Sequence, residues 1–579
     1  MNNKLATIDY VIFIVYFLIV AIYGYWIYQR KKKAVSDTHD YFLAQGSLTW
    51  WAIGAALIAS NISAEQFVGM SGQGFQMGIG VASYEWMAAL TLIIVAVFFM
   101  PIYIKNKIFT MPQFLEQRYN STVAMIMAVF WLLLYVVVNL TSILYLGALA
   151  VSTISNIDLY TCMWVMALFA ILITLGGMKV IGYTSVIQVF FLIVGGLATT
   201  YVSLTLVSDN FFPGQHLGAW KGFQLVQEHA PSYFHMVVKK DWIVTHPNNV
   251  FPNYNPYSDL PGMTMLVGGL WITNLNYWGC NQYITQRALG ADLQTARKGI
   301  LFAGFLKLLM PVIVLLPGVA AYVLYREHQS AQAVSIHAGM LVNNVVRQDN
   351  AYPVLINLLP AGLKGMSFAA LTAAVVASLA GKANSISTIF TLDIYKKIFD
   401  KGASEAKLIN VGKITIVACM ILGVILCPIL PFQKGGFQYI QEYTGFVSPG
   451  IFAMFILGFF WKKTTPNGAL FATIGGFFLS VIFKLLPALM NLQFLYPYGL
   501  AAENKATGNY EIPFLDRMGI VFVICVIGMV IISLWDNKRG VVPRGLEIDK
   551  KMFFNLTPGF VVGSIIVCGI LIALYTLYW

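Results

Sequence analysis

The stretch SNISAEQFVGM, residues 60–70, lies inside a long apolar run, yet it carries Asn61, Ser63, Glu65 and Gln66 almost side by side. A chain crossing lipid must satisfy every backbone polar group internally, so irregular, amide-rich segments occur at membrane depth only where they face protein or a watery cavity. The stretch therefore predicts an unwound point bordering an internal chamber. Its surroundings supply the membrane. Of 579 residues, 58% are hydrophobic and only 10% charged, far too apolar for an ordinary soluble globule. The formal charge of +12 comes from short Lys/Arg clusters between apolar runs. That pattern indicates topology rather than nucleic-acid binding. The six cysteines all stand in apolar surroundings without paired spacing and read as core residues.

Apolar runs of about 20 residues begin near Tyr10, Trp50, Ala82, Val123, Leu159, Tyr183, Met263, Gly299, Leu355, Ile409, Phe437, Gly468, Met518 and Gly559. The expectation is an all-α integral membrane protein of about fourteen transmembrane helices. The first run ends in Arg30, Lys31, Lys32 and Lys33 with no small-residue cleavage site, which predicts a retained helix with its amino end outside. Of 36 Lys plus Arg, this orientation puts about 22 in the cytoplasm and about 9 outside. Segments 208–261 and 326–353 then fall outside. The former is rich in Pro, Asn, Tyr and His, including His216, His229, His235 and His246. No appended soluble domain is apparent.

A second interruption, WITNLNYWGCNQYITQR at 271–287, places Asn274, Asn276, Gly279, Asn281 and Gln282 in another apolar span. It lies five spans after the first and runs in the opposite direction, the relation of an inverted repeat whose solute and ion sites sit at paired helix breaks. Polar residues that merely join helices are the alternative for either break alone. Ionisable residues inside spans, Glu65, Glu85, Lys307, Lys382 and Glu442, each cost about 2.5–3.5 kcal/mol at the bilayer centre and must face partners in the interior. Lys307 has a second option, snorkelling to the cytoplasmic edge.

The motifs LIASNISAEQFVGMSG, ASYEWM, NYWGCNQYITQR, NSISTIFTLDIYKK, FQYIQEYTGFVSPG and FWKKTT resemble the sodium:solute symporter family, in its sodium/glucose and sodium/galactose cotransporter branch, from about residue 8 onward. The resemblance implies a leucine-transporter-type core. Residues 1–34 would form an extra first helix, 47–207 the first inverted repeat, 208–261 an outer loop, 262–463 the second repeat, and 464–579 three further helices. It also implies a hexose held by Gln66, Glu85, Asn274, Lys307 and Gln441, with Tyr277 stacked beneath the ring as an inner gate and Trp278 beside it as part of that gate. Met70, Tyr84 and Phe437 would close the site from outside, and Asn61 would link sugar to ion. The chemistry suits this independently, because a ring of about five hydroxyls needs both donors and acceptors, and these side chains offer both. The family's Ser three positions after Glu85 is Ala88, which leaves the preferred epimer open.

For sodium, the resemblance implies the carbonyls of Ala59, Ile62 and Ala374 and the hydroxyl of Ser378. Three departures stand out. Ala377 lacks the second hydroxyl, Ser185 replaces the Asp of the family's TDxxQ pattern, and Lys382 lies one turn beyond Ser378 on the same helical stripe. The expectation is sodium-coupled sugar symport across a bacterial inner membrane. The alternatives are sodium-independent or proton-linked transport with Lys382 standing in for the cation, a myo-inositol or polyol substrate, and a membrane sugar sensor. An enzyme is not expected, since Glu85 and Lys307 lack an accompanying nucleophile, metal cluster or nucleotide loop. The partners implied are a small sugar and lipid, with no nucleic acid and no obligatory protein partner.

Overall fold

The computed structural model describes residues 5–31, 48–241, 250–252, 254–342, 344–429, 436–505 and 507–579. Lys32, Lys33 and His246, invoked above, lie outside them. Among the described residues the chain is helical throughout, apart from loops and two short antiparallel ribbons. Leu341–Val342 pairs with Val345–Val346, and Ala502–Glu503 with Tyr510–Glu511. Among the described residues, ten helices are long and apolar enough to cross a bilayer, eleven if the pair Gly436–Gly445 and Ser448–Phe460, bent by 50°, counts as one span.

The expected fourteen is not reached by that measure, for local reasons. Breaks divide two of the spans, and Leu159–Thr174 is a shorter apolar helix. One boundary is also corrected. Leu355 belongs to the short helix Ala351–Asn357, and the span itself runs from Leu363 after a turn at Gly362, whose φ of 90° suits a residue without Cβ. The six cysteines are free, five of them buried, in line with their reading as core residues.

Both predicted interruptions are present. Trp50–Asn61 ends at Ile62, which is extended (φ −80°, ψ 115°). The Ser63 N–H then turns to the Gln66 side chain (2.9 Å) instead of a helical carbonyl, and the helix resumes at Glu65–Met70 and Ser71–Met77. Leu270–Cys280 stops at an extended Asn281 (φ −91°, ψ 128°) and resumes as Gln282–Leu289. The second break is therefore narrower than the sequence suggested, since Asn274 and Asn276 stand on regular helix.

Trp50–Asn61 packs against Leu293–Met310, Gly177–Phe211 and Leu363–Thr388. Glycines permit the first of these contacts. A Cβ on Gly54 would lie 2.7 Å from the Gly299 carbonyl, and one on Gly299 would lie 2.8 Å from the Trp50 carbonyl. Small residues let membrane helices approach backbone to backbone, and here the approach brings the end of one helix within reach of Lys307 on the other. At the periphery, Asp9 of Thr7–Lys31 accepts the N–H groups of Gly362 and Gly365 (both 2.8 Å), capping the helix that carries Ser378. Replacing Gly54 with Ala overpacks this seam, and we expect a loss of about 1–3 kcal/mol, read as a lower Tm of the purified protein in detergent.

Candidate functional site

A cavity lies between the two breaks. Its wall includes all six residues expected to hold the solute, Gln66, Glu85, Asn274, Tyr277, Lys307 and Gln441. The four expected gate residues, Met70, Tyr84, Trp278 and Phe437, and the linker Asn61 also line it. These side chains come from six helical segments, and both broken spans border the same space.

Electrostatics organises the chamber. Lys307 is 1% exposed, so it does not snorkel to the cytoplasmic edge. Its ammonium donates to the Glu85 carboxylate and to the Asn61 side-chain carbonyl and lies 5.2 Å above the Trp278 ring. Asn61 in turn donates to the Tyr277 hydroxyl (2.9 Å). Break, ion pair and aromatic platform thus form one chain of contacts. Tyr277 stands edge-on to Trp278 (5.1 Å, 74°) and to Tyr283 (5.6 Å, 84°). Among the expected outer-gate residues, Tyr84 meets Phe437 nearly perpendicularly at 5.4 Å, and Met70, Tyr84 and Phe437 are all buried.

The expected ion site adjoins the first break. Ala59, Ile62, Ala374, Ala377 and Ser378 are all buried. Ser378 donates to the Ser60 carbonyl (3.2 Å), so the hydroxyl touches the unwound segment directly. Lys382, also 1% exposed, donates to Ser378 Oγ (3.4 Å) and lies 4.8 Å over the Tyr283 ring. Ser185 is buried with its hydroxyl turned to its own helix at the Ile181 carbonyl (2.6 Å). Ala377 carries no hydroxyl, and the Lys382 ammonium contacts the one on Ser378 directly.

Several wall residues were not anticipated. Tyr135 and Asn139 line the cavity from the helical segment Leu134–Leu140. Tyr135 donates to Asn281 Oδ1 (3.1 Å) and accepts from the Gln282 N–H (3.2 Å), satisfying the second break. Their signal was a polar pair four positions apart in an apolar run, hence one helical face. Thr444 and Ser448 flank a third interruption, marked in sequence by Gly445 and Pro449. Ser448 accepts from Asn276 (3.0 Å). Glu65, expected in the unwound stretch but given no role at the site, also lines the chamber, within Coulombic reach of Lys382, Glu85 and Lys307. Ala88 is on the wall too.

The Glu85–Lys307 pair makes a specific demand on stability. Removing one partner strands a buried charge, at a cost of about 3–5 kcal/mol, whereas removing both is much cheaper. Glu85→Gln and Lys307→Met should each lower the Tm in detergent strongly, and the double variant should recover most of the loss.

Comparison with known proteins follows the same lines. The family model described as "Sodium:solute symporter family" matches residues 41–476. The chain is 42% identical to a sodium/glucose cotransporter of Vibrio parahaemolyticus over 100% of its own length and 99% of that protein's. It is 31% identical to sodium/myo-inositol cotransporter 2 of Oryctolagus cuniculus, over 83% of this chain and 70% of that one. Among solved structures, a Na+-coupled sialic acid symporter in a substrate-bound outward-open state aligns with a TM-score of 0.72 at 20% identity, covering 94% of this chain and 100% of that one. That likeness fixes the architecture as the leucine-transporter-type fold. The chain belongs to the sodium:solute symporter family, as a multi-pass integral membrane protein.

Proposed function

We propose that this protein is a sodium-coupled symporter of a neutral monosaccharide of the glucose or galactose type, working by alternating access in a bacterial inner membrane. The observation that carries the reading is the convergence of Gln66, Glu85, Asn274, Lys307 and Gln441, with the Tyr277 ring, on one chamber beside two helix breaks. Amides, a carboxylate and an ammonium supply donors and acceptors to a polyhydroxylated ring, and an aromatic face covers its apolar side. The 42%-identical full-length relative described as a sodium/glucose cotransporter supports the same substrate class. In this reading, 47–207 and 262–463 are the two inverted repeats, and the segments before and after them are additions to that core.

Sodium, as co-substrate, would be held by the carbonyls of Ala59, Ile62 and Ala374 and the hydroxyl of Ser378. A hard cation takes oxygen ligands, and the unwound backbone at Ile62 offers them. With Ala377 in place of the second hydroxyl, the ion has one protein oxygen fewer and binds more weakly. The contact of Lys382 with Ser378 favours one second reading, in which the ammonium supplies the positive charge itself and the solute moves without obligatory sodium. The match to a sodium/myo-inositol cotransporter keeps a cyclic polyol as the rival solute.

Uptake into proteoliposomes tests the solute. Glucose, galactose and myo-inositol are compared as labelled substrates, and the reading is wrong if none accumulates. Asn274→Ala or Gln441→Ala should each raise KM for the accepted sugar about 5- to 150-fold, corresponding to about 1–3 kcal/mol for a stranded buried partner. Coupling is tested by replacing the inward sodium gradient with choline. Sodium symport predicts a large fall in initial rate, and undiminished uptake selects the Lys382 reading. Under sodium symport, Ala377→Ser combined with Lys382→Met should lower the sodium concentration for half-maximal uptake roughly tenfold, the equivalent of about 1.4 kcal/mol.

A further inference from the structure

Phe437, which lines the chamber and is the residue expected to close it from outside, sits at the start of Gly436–Gly445. Two carboxylates hold that helix. The Gly436 N–H donates to Asp349 Oδ2 (3.0 Å), and Gln438 Nε2 donates to Asp259 Oδ1 (2.6 Å). Asp259 is half-buried, and its other oxygen accepts the Tyr254 hydroxyl. The loop carrying Asp259 is itself fastened to the outer segment that joins Gly476–Leu489 to Phe514–Lys538. Tyr257 donates to the Gly499 carbonyl (2.8 Å), and Asn255 to the Glu503 carbonyl (3.1 Å). The gate helix is thus hooked by one glutamine to a platform anchored elsewhere.

We propose that Asp259 is a positioning residue of the outer gate. By holding Gln438 it seats Phe437 against Tyr84, and its protonation state biases the gate between shut and open. The hydrogen bonds from Gln438 and Tyr254 suit a carboxylate, but no cation pairs with Asp259 among the described residues. Burial pushes its carboxyl up to about 7, against the hydrogen bond from Tyr254, with Glu442 and Glu511 raising it further and Lys484 lowering it. These groups face it from the gate helix, the Tyr510–Glu511 strand and the Gly476–Leu489 helix. Glu442 is itself paired with Lys484 (2.5 Å) and Arg517 (3.1 Å). Tyr84, whose hydroxyl has no partner among the described residues, also feels the Asp259 charge.

The direction of the effect follows from linkage. A hydrated carboxyl in an open gate has the ordinary value of about 3.9, so the shut gate binds the proton more tightly. Opening therefore becomes easier as pH rises from the ordinary value to about 7, and levels off above it. Acid on the outer face holds the gate shut. The second anchor, Asp349, is pushed up only to about 6 by burial, against the Gly436 N–H and Arg347.

The test labels the chamber from outside. A cysteine at Ala88, on the chamber wall, is exposed to a membrane-impermeant maleimide in right-side-out vesicles, with the parent protein as the blank for the native thiols. The labelling rate is divided by that of the same reporter carrying Asp259→Asn. The ratio cancels the thiol's own ionisation and any contribution from Asp349. We expect it to climb by up to about tenfold per pH unit below pH 7 and then flatten. Asp259→Asn, which mimics the protonated acid and keeps an acceptor for Gln438, should label slowly at every pH. Asp259→Ala, which gives up both hydrogen bonds, should label fast. Opposite effects of Asn and Ala are not what a merely structural role produces. If Asp259→Ala fails to fold, Gln438→Ala severs the same hook from the other side and should also label fast. A flat ratio, Asn and Ala shifting the rate in the same direction, or unchanged labelling in Gln438→Ala would each overturn the proposal. The readout concerns the gate alone, so its failure is distinguishable from a failure of sugar uptake.

Discussion

Everything in this protein depends on how two stretches of unwound backbone survive at membrane depth. A peptide group without its helical partner costs several kcal/mol in hydrocarbon, so each break must be satisfied by neighbours that are themselves held in place. At the first, Gln66 caps the Ser63 N–H and Ser378 meets the Ser60 carbonyl. At the second, Tyr135 serves both Asn281 and the Gln282 N–H, and Gln282 accepts from the Met111 N–H (2.7 Å). These partners come from helices that would otherwise be mere scaffold. The breaks thereby decide which elements surround the chamber.

Charge follows the same logic. Glu65, Glu85, Lys307 and Lys382 are buried around the chamber and the adjoining ion site, two of each sign, so the formal charges of these four cancel although every member is costly alone. A neutral set of strong donors and acceptors suits a neutral, hydroxyl-rich solute. The four are not equally matched, however. Glu85 and Lys307 pair directly, while Lys382 leans on a hydroxyl and an aromatic ring. The less closely partnered cation of the two is the one beside the ion site, where its charge bears on the coupling ion.

Much of this was readable from residues alone. Asn61 and Glu65 in an apolar run announced the first break, and the paired interruption five spans later announced the repeat. Glu85 and Lys307, improbable in lipid, announced each other. What escaped notice had weak local signals. Tyr135 and Asn139 sit in a run otherwise indistinguishable from a lipid-facing helix. The bend near Gly445 hid within a span of the right length. The second break looked broad because four amides cluster there, although only Asn281 leaves the helix. Asp259 and Gln438 carried no signal at all, since a loop aspartate and a helix glutamine acquire meaning only when packing brings them within 2.6 Å of each other.

The sequence by itself determined that the chain lives in a membrane, where its backbone cannot be regular, and which side chains are too polar to face lipid, because the hydrocarbon imposes those costs residue by residue. Which of those residues meet was decided only in three dimensions. The Gly54–Gly299 approach sets Lys307 between Glu85 and Asn61, and the anchored outer loop sets Asp259 against the gate helix. Both depend on how closely backbones distant in sequence can pack, a steric property of the assembled bundle that no single segment encodes.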